Sequence, residues 1–162
     1  MTEKITPAIK GLITGLLMIL TYAVIFYTQD PSNYRFQYLS YVIYAAGVVW
    51  TLWAHSLSPL FTGKFGNLFN QGFRCFIVVT LLMVLYIGIF NSLHPEFKEE
   101  MAKAYKEQLV KAANNTPTEI EQEITTFKKQ YAVRLVSGSI FGYLIIGAGL
   151  TAIVSLLFIR RQ

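Results

Sequence analysis

The sequence predicts an all-α membrane protein with four transmembrane helices, the third and fourth extended into a helical hairpin outside the membrane. Three observations predict it. Charged residues make up only 14% of the chain and apolar residues 54%, where a soluble domain averages roughly 25% charged. The few charges are segregated: none lies within 11–28, 75–93 or 135–159, and within 36–63 the only group that titrates near neutrality is His55. Finally, 94–132 carries two apolar stripes at helical spacing with turn chemistry between them. Each uncharged stretch is long enough for a hydrocarbon core of about 30 Å, which takes roughly 20 helical residues. Each is also apolar all round, whereas a soluble surface helix keeps a polar face. A membrane β-barrel needs segments of about 10 residues that alternate apolar and polar, and runs such as 13–20 and 76–90 do not alternate.

The first span covers about 7–28. Pro7 suits the first helical turn, where its missing N–H costs nothing. The apolar run passes through Phe26 without a small-residue cleavage site, so it is expected to be a retained span and not a secretion signal. Gln29-Asp30-Pro31-Ser32-Asn33 is turn chemistry. The second span covers about 37–56. It opens with Tyr38, Tyr41 and Tyr44 and closes with Trp50, Trp53 and His55, side chains suited to anchoring at the headgroup level.

A short loop follows, reaching Gly72. Phe61, Phe65 and Phe69 recur every four residues and would lie on one side of a short helix in the headgroup plane, although Gly63 and Gly66 weaken it. With Arg74 they form the candidate partner contact. Cys75 is the only cysteine, so an internal disulfide is excluded, and its expected role is a small buried hydrophobe. The third span covers about 72–93, and His94-Pro95 marks a kink or break where it leaves the lipid.

The hairpin is expected over about 95–132. Phe97, Met101, Tyr105, Leu109 and Ala112 form one stripe; Ile120, Ile124, Phe127 and Tyr131 form the other. Glu99–Lys103 and Glu107–Lys111 are favourable i,i+4 pairs. Asn114-Asn115 stops the first helix. Thr116-Pro117-Thr118-Glu119 is a capping box with Pro at the first helical position, so Thr116, Pro117 and Glu119 cap the second. Asn114-Asn115-Thr116 also fits a glycosylation acceptor, but the turn already employs it. No Gly or Pro separates Tyr131 from the last span, about 133–159. One unbroken helix is therefore expected from 117 to about 158, with a length of about 63 Å.

The net charge of +5 would suggest nucleic acid in a soluble protein; here it sets topology, and no nucleic-acid partner is expected. Lys4, Lys10, Lys64, Arg74, Arg160 and Arg161 fall on one side of alternating spans, against Arg35 alone in the opposite short loop. The hairpin balances six lysines with seven glutamates and counts little. Both termini are thus expected in the cytoplasm and the hairpin in the periplasm.

No catalytic constellation, metal site or cofactor motif is apparent, so the chain is expected not to be an enzyme. His55 and His94 fall on opposite sides of the membrane in this topology. Gly11-x-x-x-Gly15 and Gly138-x-x-x-Gly142, extended by Gly147 and Gly149, permit close helix approach.

The stretch Lys64-Phe65-Gly66-Asn67-Leu68-Phe69-Asn70-Gln71-Gly72-Phe73-Arg74, and the exit Leu93-His94-Pro95-Glu96-Phe97-Lys98 followed by a charged segment and a last span, resemble the domain-of-unknown-function 4199 family. The resemblance covers nearly the whole chain. It implies a small four-helix inner-membrane protein of Bacteroidota, and an association with a polyprenyl-phosphate sugar synthase; the family brings no assigned activity and no site residues. The expected function is a non-enzymatic membrane subunit or scaffold that assembles in the lipid bilayer with itself as a homo-oligomer or with another membrane protein, such as a membrane-bound glycosyltransferase. The alternative is a small pore, transporter or lipid-handling bundle.

Overall fold

The computed structural model describes residues 5–28, 37–112 and 116–160. The expected turn at 29–33, the Asn114-Asn115 stop, and Lys4, Arg35 and Arg161 lie outside them. Among the described residues there are five helices and no strand: α1 Pro7–Thr28, α2 Gln37–Ser56, α3 Phe65–Leu93, α4 Glu96–Ala112 and α5 Pro117–Arg160. The first two have the bounds expected for the first two apolar stretches. The last is a single helix of 44 residues, which makes it about 66 Å long.

Three helices are long and apolar enough to cross a membrane: α1, α3 and α5. By length and composition the count is therefore three and not the four expected. α2 has the length but is not apolar enough, with Ser40, Thr51 and His55 buried among the helices and Tyr38, Tyr41, Trp50 and Trp53 exposed. A second correction concerns α3, which begins at Phe65 and not at 72. The chain turns at Gly63, whose φ is 71°. That left-handed conformation suits a residue without Cβ. Lys64 then accepts the first backbone bond, its carbonyl taking the Asn67 N–H at 3.1 Å. The expected short surface helix is therefore the first turns of α3 itself.

The chain divides into two units, 1–83 with 140–162, and 84–139. The first is an up-and-down bundle of α1, α2, the first part of α3 and the last part of α5. Its register can be followed through close approaches. A Cβ on Gly11 would lie 2.5 Å from the Cys75 carbonyl oxygen, and one on Gly15 would lie 2.7 Å from Leu82, so α1 and α3 run parallel. Gly47 of α2 lies against Thr14, and Trp50 against Lys10, which makes α2 antiparallel to α1. Gly72 faces Thr151 and Phe76 faces Gly147, which makes α5 antiparallel to α3. Gly11 and Gly15 thus sit in close helix contact as expected. Around Gly138, Gly142 and Gly149 a Cβ would meet no atom within 4 Å, and Gly147 makes the close approach on α5.

The second unit pairs α4 with the first turns of α5. α3 ends at Leu93, and α4 begins after His94-Pro95, where the break is expected. The capping box is formed: the Thr116 N–H donates to Glu119 Oε2 at 2.7 Å, and the Glu119 N–H donates to Thr116 Oγ1 at 3.4 Å. The Tyr105 and Phe127 rings stack at 5.0 Å, and the Tyr131 hydroxyl reaches Asn91 at 3.4 Å. The α4 stripe keeps Tyr105 and Leu109, both half-buried, but departs from the expected residues nearer its start. Phe97 turns back onto Phe90 and His94, Met101 is 52% exposed, and Ala102 is the buried position. A small side chain at the contact lets two helices approach closely, which Met101 would prevent. Glu99 pairs with Lys128 on α5 and not with Lys103, so the ion pair ties the two helices together.

Candidate functional site: a polar seam inside an apolar bundle

The first unit is apolar outside, unlike a water-soluble bundle, and a seam of polar groups runs through its otherwise apolar core of Met18, Val48, Leu52, Phe76, Val79 and Met83. Leu16, Leu17, Leu20, Leu81, Ile145 and Ile153 are about half or more exposed. Buried among the helices are Lys10, Thr14, Ser40, Thr51, His55, Thr80, Thr151 and Ser155, each 4% exposed or less. α2 contributes more of this seam than any other helix, and its Ser40, Tyr44, Thr51 and His55 share one face at spacings of four, seven and four. Those four groups extend over about 22 Å of helix. The exposed face of α2 is left to aliphatic and aromatic side chains, among them Val42, Val49 and Trp53.

Five of the eight seam groups find partners, in two ways. Thr14, Thr51 and Thr80 donate to the carbonyl four residues back, Lys10, Gly47 and Phe76, at 2.8, 2.9 and 2.8 Å. Others join helices. The Tyr44 hydroxyl donates to the Tyr143 carbonyl at 2.9 Å, with the two rings edge to face at 5.8 Å. His55 Nε2 meets Asn67 Oδ1 at 2.7 Å, which ties the end of α2 to the start of α3. The Lys10 ammonium stands 5.7 Å from the centre of the Trp50 ring. The buried hydroxyls of Ser40, Thr151 and Ser155 have no hydrogen-bond partner among the described residues. In lipid, interhelical polar bonds average about 0.6 kcal/mol each, so the seam fastens the bundle modestly but at several points.

The sequence alone places Tyr44 and His55 at the headgroup level; both are buried, at 0% and 2% exposure. Tyr38, Tyr41, Trp50 and Trp53 are the exposed members of that aromatic set. The period-four spacing of Ser40, Tyr44 and of Thr51, His55 was the available signal, hidden because tyrosine and histidine also suit an interface. Cys75 is buried, as expected.

The phenylalanine contact is rearranged. Phe65 and Phe69 stack at 5.5 Å on α3, while Phe61 lies in the loop before it, edge-on to His55 at 6.2 Å. Phe73, 45% exposed, continues the row in place of Phe61, and Arg74 beside it is exposed. Among the described residues no three of His, Cys, Asp and Glu gather closely enough to hold a metal ion.

A family model described as a protein of unknown function, DUF4199, matches residues 10–160. No curated protein and no solved structure matches the chain.

Proposed function

The chain belongs to the DUF4199 family, and on that premise we propose that it is a multi-pass subunit of the bacterial cytoplasmic membrane that assembles with itself or with another membrane protein. The observation that carries this reading is the division of labour between the two units. One has an aliphatic exterior suited to lipid and an interior fastened by polar groups. The other has its own cap, stacked rings and ion pair, features of a self-supporting helical pair on a charged, water-compatible surface. A scaffold needs both: an anchor and something to present.

In this proposal α2 crosses the bilayer with α1, α3 and α5. Its 20 residues span about 30 Å, the thickness of the hydrocarbon core. Its polar groups face the other helices, and its exposed face is largely aliphatic and aromatic. Four crossings put both termini in the cytoplasm with Lys10, Lys64, Arg74 and Arg160, and the hairpin in the periplasm. Reporter fusions at each terminus test this; termini on opposite sides would remove α2 as a span. The row of exposed Phe65 and Phe73 and half-buried Phe69, with Arg74, is the proposed cytoplasmic contact, and the soluble domain of an enzyme acting on a lipid-linked sugar is the proposed occupant. Affinity purification from native membranes in mild detergent tests the assembly. A defined stoichiometric complex or homo-oligomer is expected, and a lone monomer would refute it.

The polar seam favours a second reading, a small pore or lipid-handling bundle, because buried hydroxyls in a membrane bundle also serve permeating or bound polar groups. Flux or lipid transfer in proteoliposomes separates the two, since a scaffold supports neither.

A further inference from the structure

The hairpin carries a groove of about 550 Å³ along α5, lined by Tyr105, Phe127, Glu119, Glu123 and Arg134 among others. Its volume lies in the range of small-molecule sites. Its charges are ordered along the helix. Glu119 and Glu123 are one turn apart near the cap, and Arg134 follows further along α5. The rise of the helix separates the Glu123 and Arg134 backbones by roughly 16 Å. The long Arg134 side chain shortens that gap by leaning back toward the carboxylates, its Nε and Nη2 donating to Gln130 Oε1 at 3.1 and 2.8 Å. That bond fixes the plane of the guanidinium and leaves further donors of the fork for an anion. Between the two charged ends stand the rings of Tyr105 and Phe127, with the Tyr105 hydroxyl donating to Glu123 Oε2 at 3.1 Å. Glu123 holds the Tyr105 phenol above its ordinary pKa and Arg134 opposes it, so both charges act at this ring. A carboxylate has about four lone-pair sites, so Glu123 retains capacity for another donor.

Carboxylates beside aromatic rings suit an ammonium group, through hydrogen bonds and cation–π attraction. A guanidinium at the other end suits a phosphate. We propose that the groove binds a zwitterion of ammonium and phosphate, supplied as the headgroup of an ethanolamine phospholipid. The lipid source follows from position: Arg134 is the last charged residue before the uncharged stretch 135–159 of the same helix, where lipid phosphates lie if that stretch is in the bilayer. The proposal rests on the membrane reading of that stretch but not on assembly with a partner.

The test is native mass spectrometry of the full chain in dodecylmaltoside micelles, offered phosphatidylethanolamine, phosphatidylglycerol or phosphatidylcholine at equal concentration. Preferential retention of phosphatidylethanolamine is expected. Glu123→Gln, which keeps an acceptor for Tyr105, should cut that retention by about tenfold relative to phosphatidylglycerol, the scale of one lost charge-assisted hydrogen bond. Arg134→Gln should weaken retention of both lipids. Circular dichroism melting of each variant shows whether the fold is kept. Equal retention of the three lipids, or an unchanged preference in folded Glu123→Gln, would overturn the site. Tight binding of soluble O-phosphoethanolamine with no lipid preference would overturn the lipid assignment. A chain that dissolves without detergent would instead defeat the membrane reading.

Discussion

Gly147 and Gly149 lie two residues apart on α5, yet replacing each by alanine should move stability in opposite directions. At Gly147 a methyl group would meet the Tyr44 hydroxyl and stand 2.7 and 2.8 Å from Phe76 Cγ and Cβ. Carbon atoms need about 3.5–4.0 Å, so α5 must withdraw by about 1 Å or Phe76 and Tyr44 must repack. A gap of that size forfeits a quarter to a half of the dispersion energy along the contact. Overpacking of this kind costs about 1–3 kcal/mol. Moving Tyr44 also strains its bond to the Tyr143 carbonyl, adding about 0.6 kcal/mol. Against this stands the better helix propensity of alanine, up to about 1 kcal/mol. At Gly149 the Cβ meets nothing within 4 Å, so only the propensity gain remains. Subtracting one variant from the other cancels propensity and leaves the overpacking cost, about 2 kcal/mol at the middle of its range, with the strained bond added, or about 2.6 kcal/mol in all. Unfolding in mixed dodecylmaltoside–SDS micelles, followed by far-ultraviolet circular dichroism, measures the difference. Equal SDS midpoints for the two variants would refute the α3–α5 register from which the bundle is built.

Three further outcomes are expected. Tyr44→Phe removes one interhelical bond and should lower bundle stability by about 0.6 kcal/mol, and by less than about 1.7 kcal/mol, in the same SDS assay. Thr116→Ala removes the side-chain half of the capping box and should weaken the hairpin by about 1 kcal/mol, measurable as faster hydrogen exchange at the first amides of α5. The Lys128 ammonium, hydrogen-bonded to Glu99, holds that carboxyl below the ordinary carboxylate range. A depressed carboxyl stabilises the folded form fully above its unfolded pKa and loses that contribution as pH falls through its folded pKa. Exchange protection of α4 should therefore decline as the solution is acidified through and below the ordinary carboxylate range, and Lys128→Met should flatten that part of the profile.

Which segments form helices was legible in the residues, because charge-free stretches and apolar periods are local properties. The ends of α1 and α2, the break at His94-Pro95, the cap at Thr116 and the unbroken course of α5 all depend on neighbours within a few positions. Where each side chain points inside the bundle was not legible. Tyr44 and His55 have the same chemistry at an interface as in an interior, and only the register of α2 against α1, α3 and α5 decides between them. The same holds for glycine: Gly138, Gly142 and Gly147 look alike along the chain, but Gly147 alone of the three faces another helix at contact distance. α4 illustrates the remaining case, since its period was clear while Ala102, not Met101, lies at the contact, for the size of the gap between two helices is a property of the pair. Local patterns determine the elements; the partner's surface determines the faces.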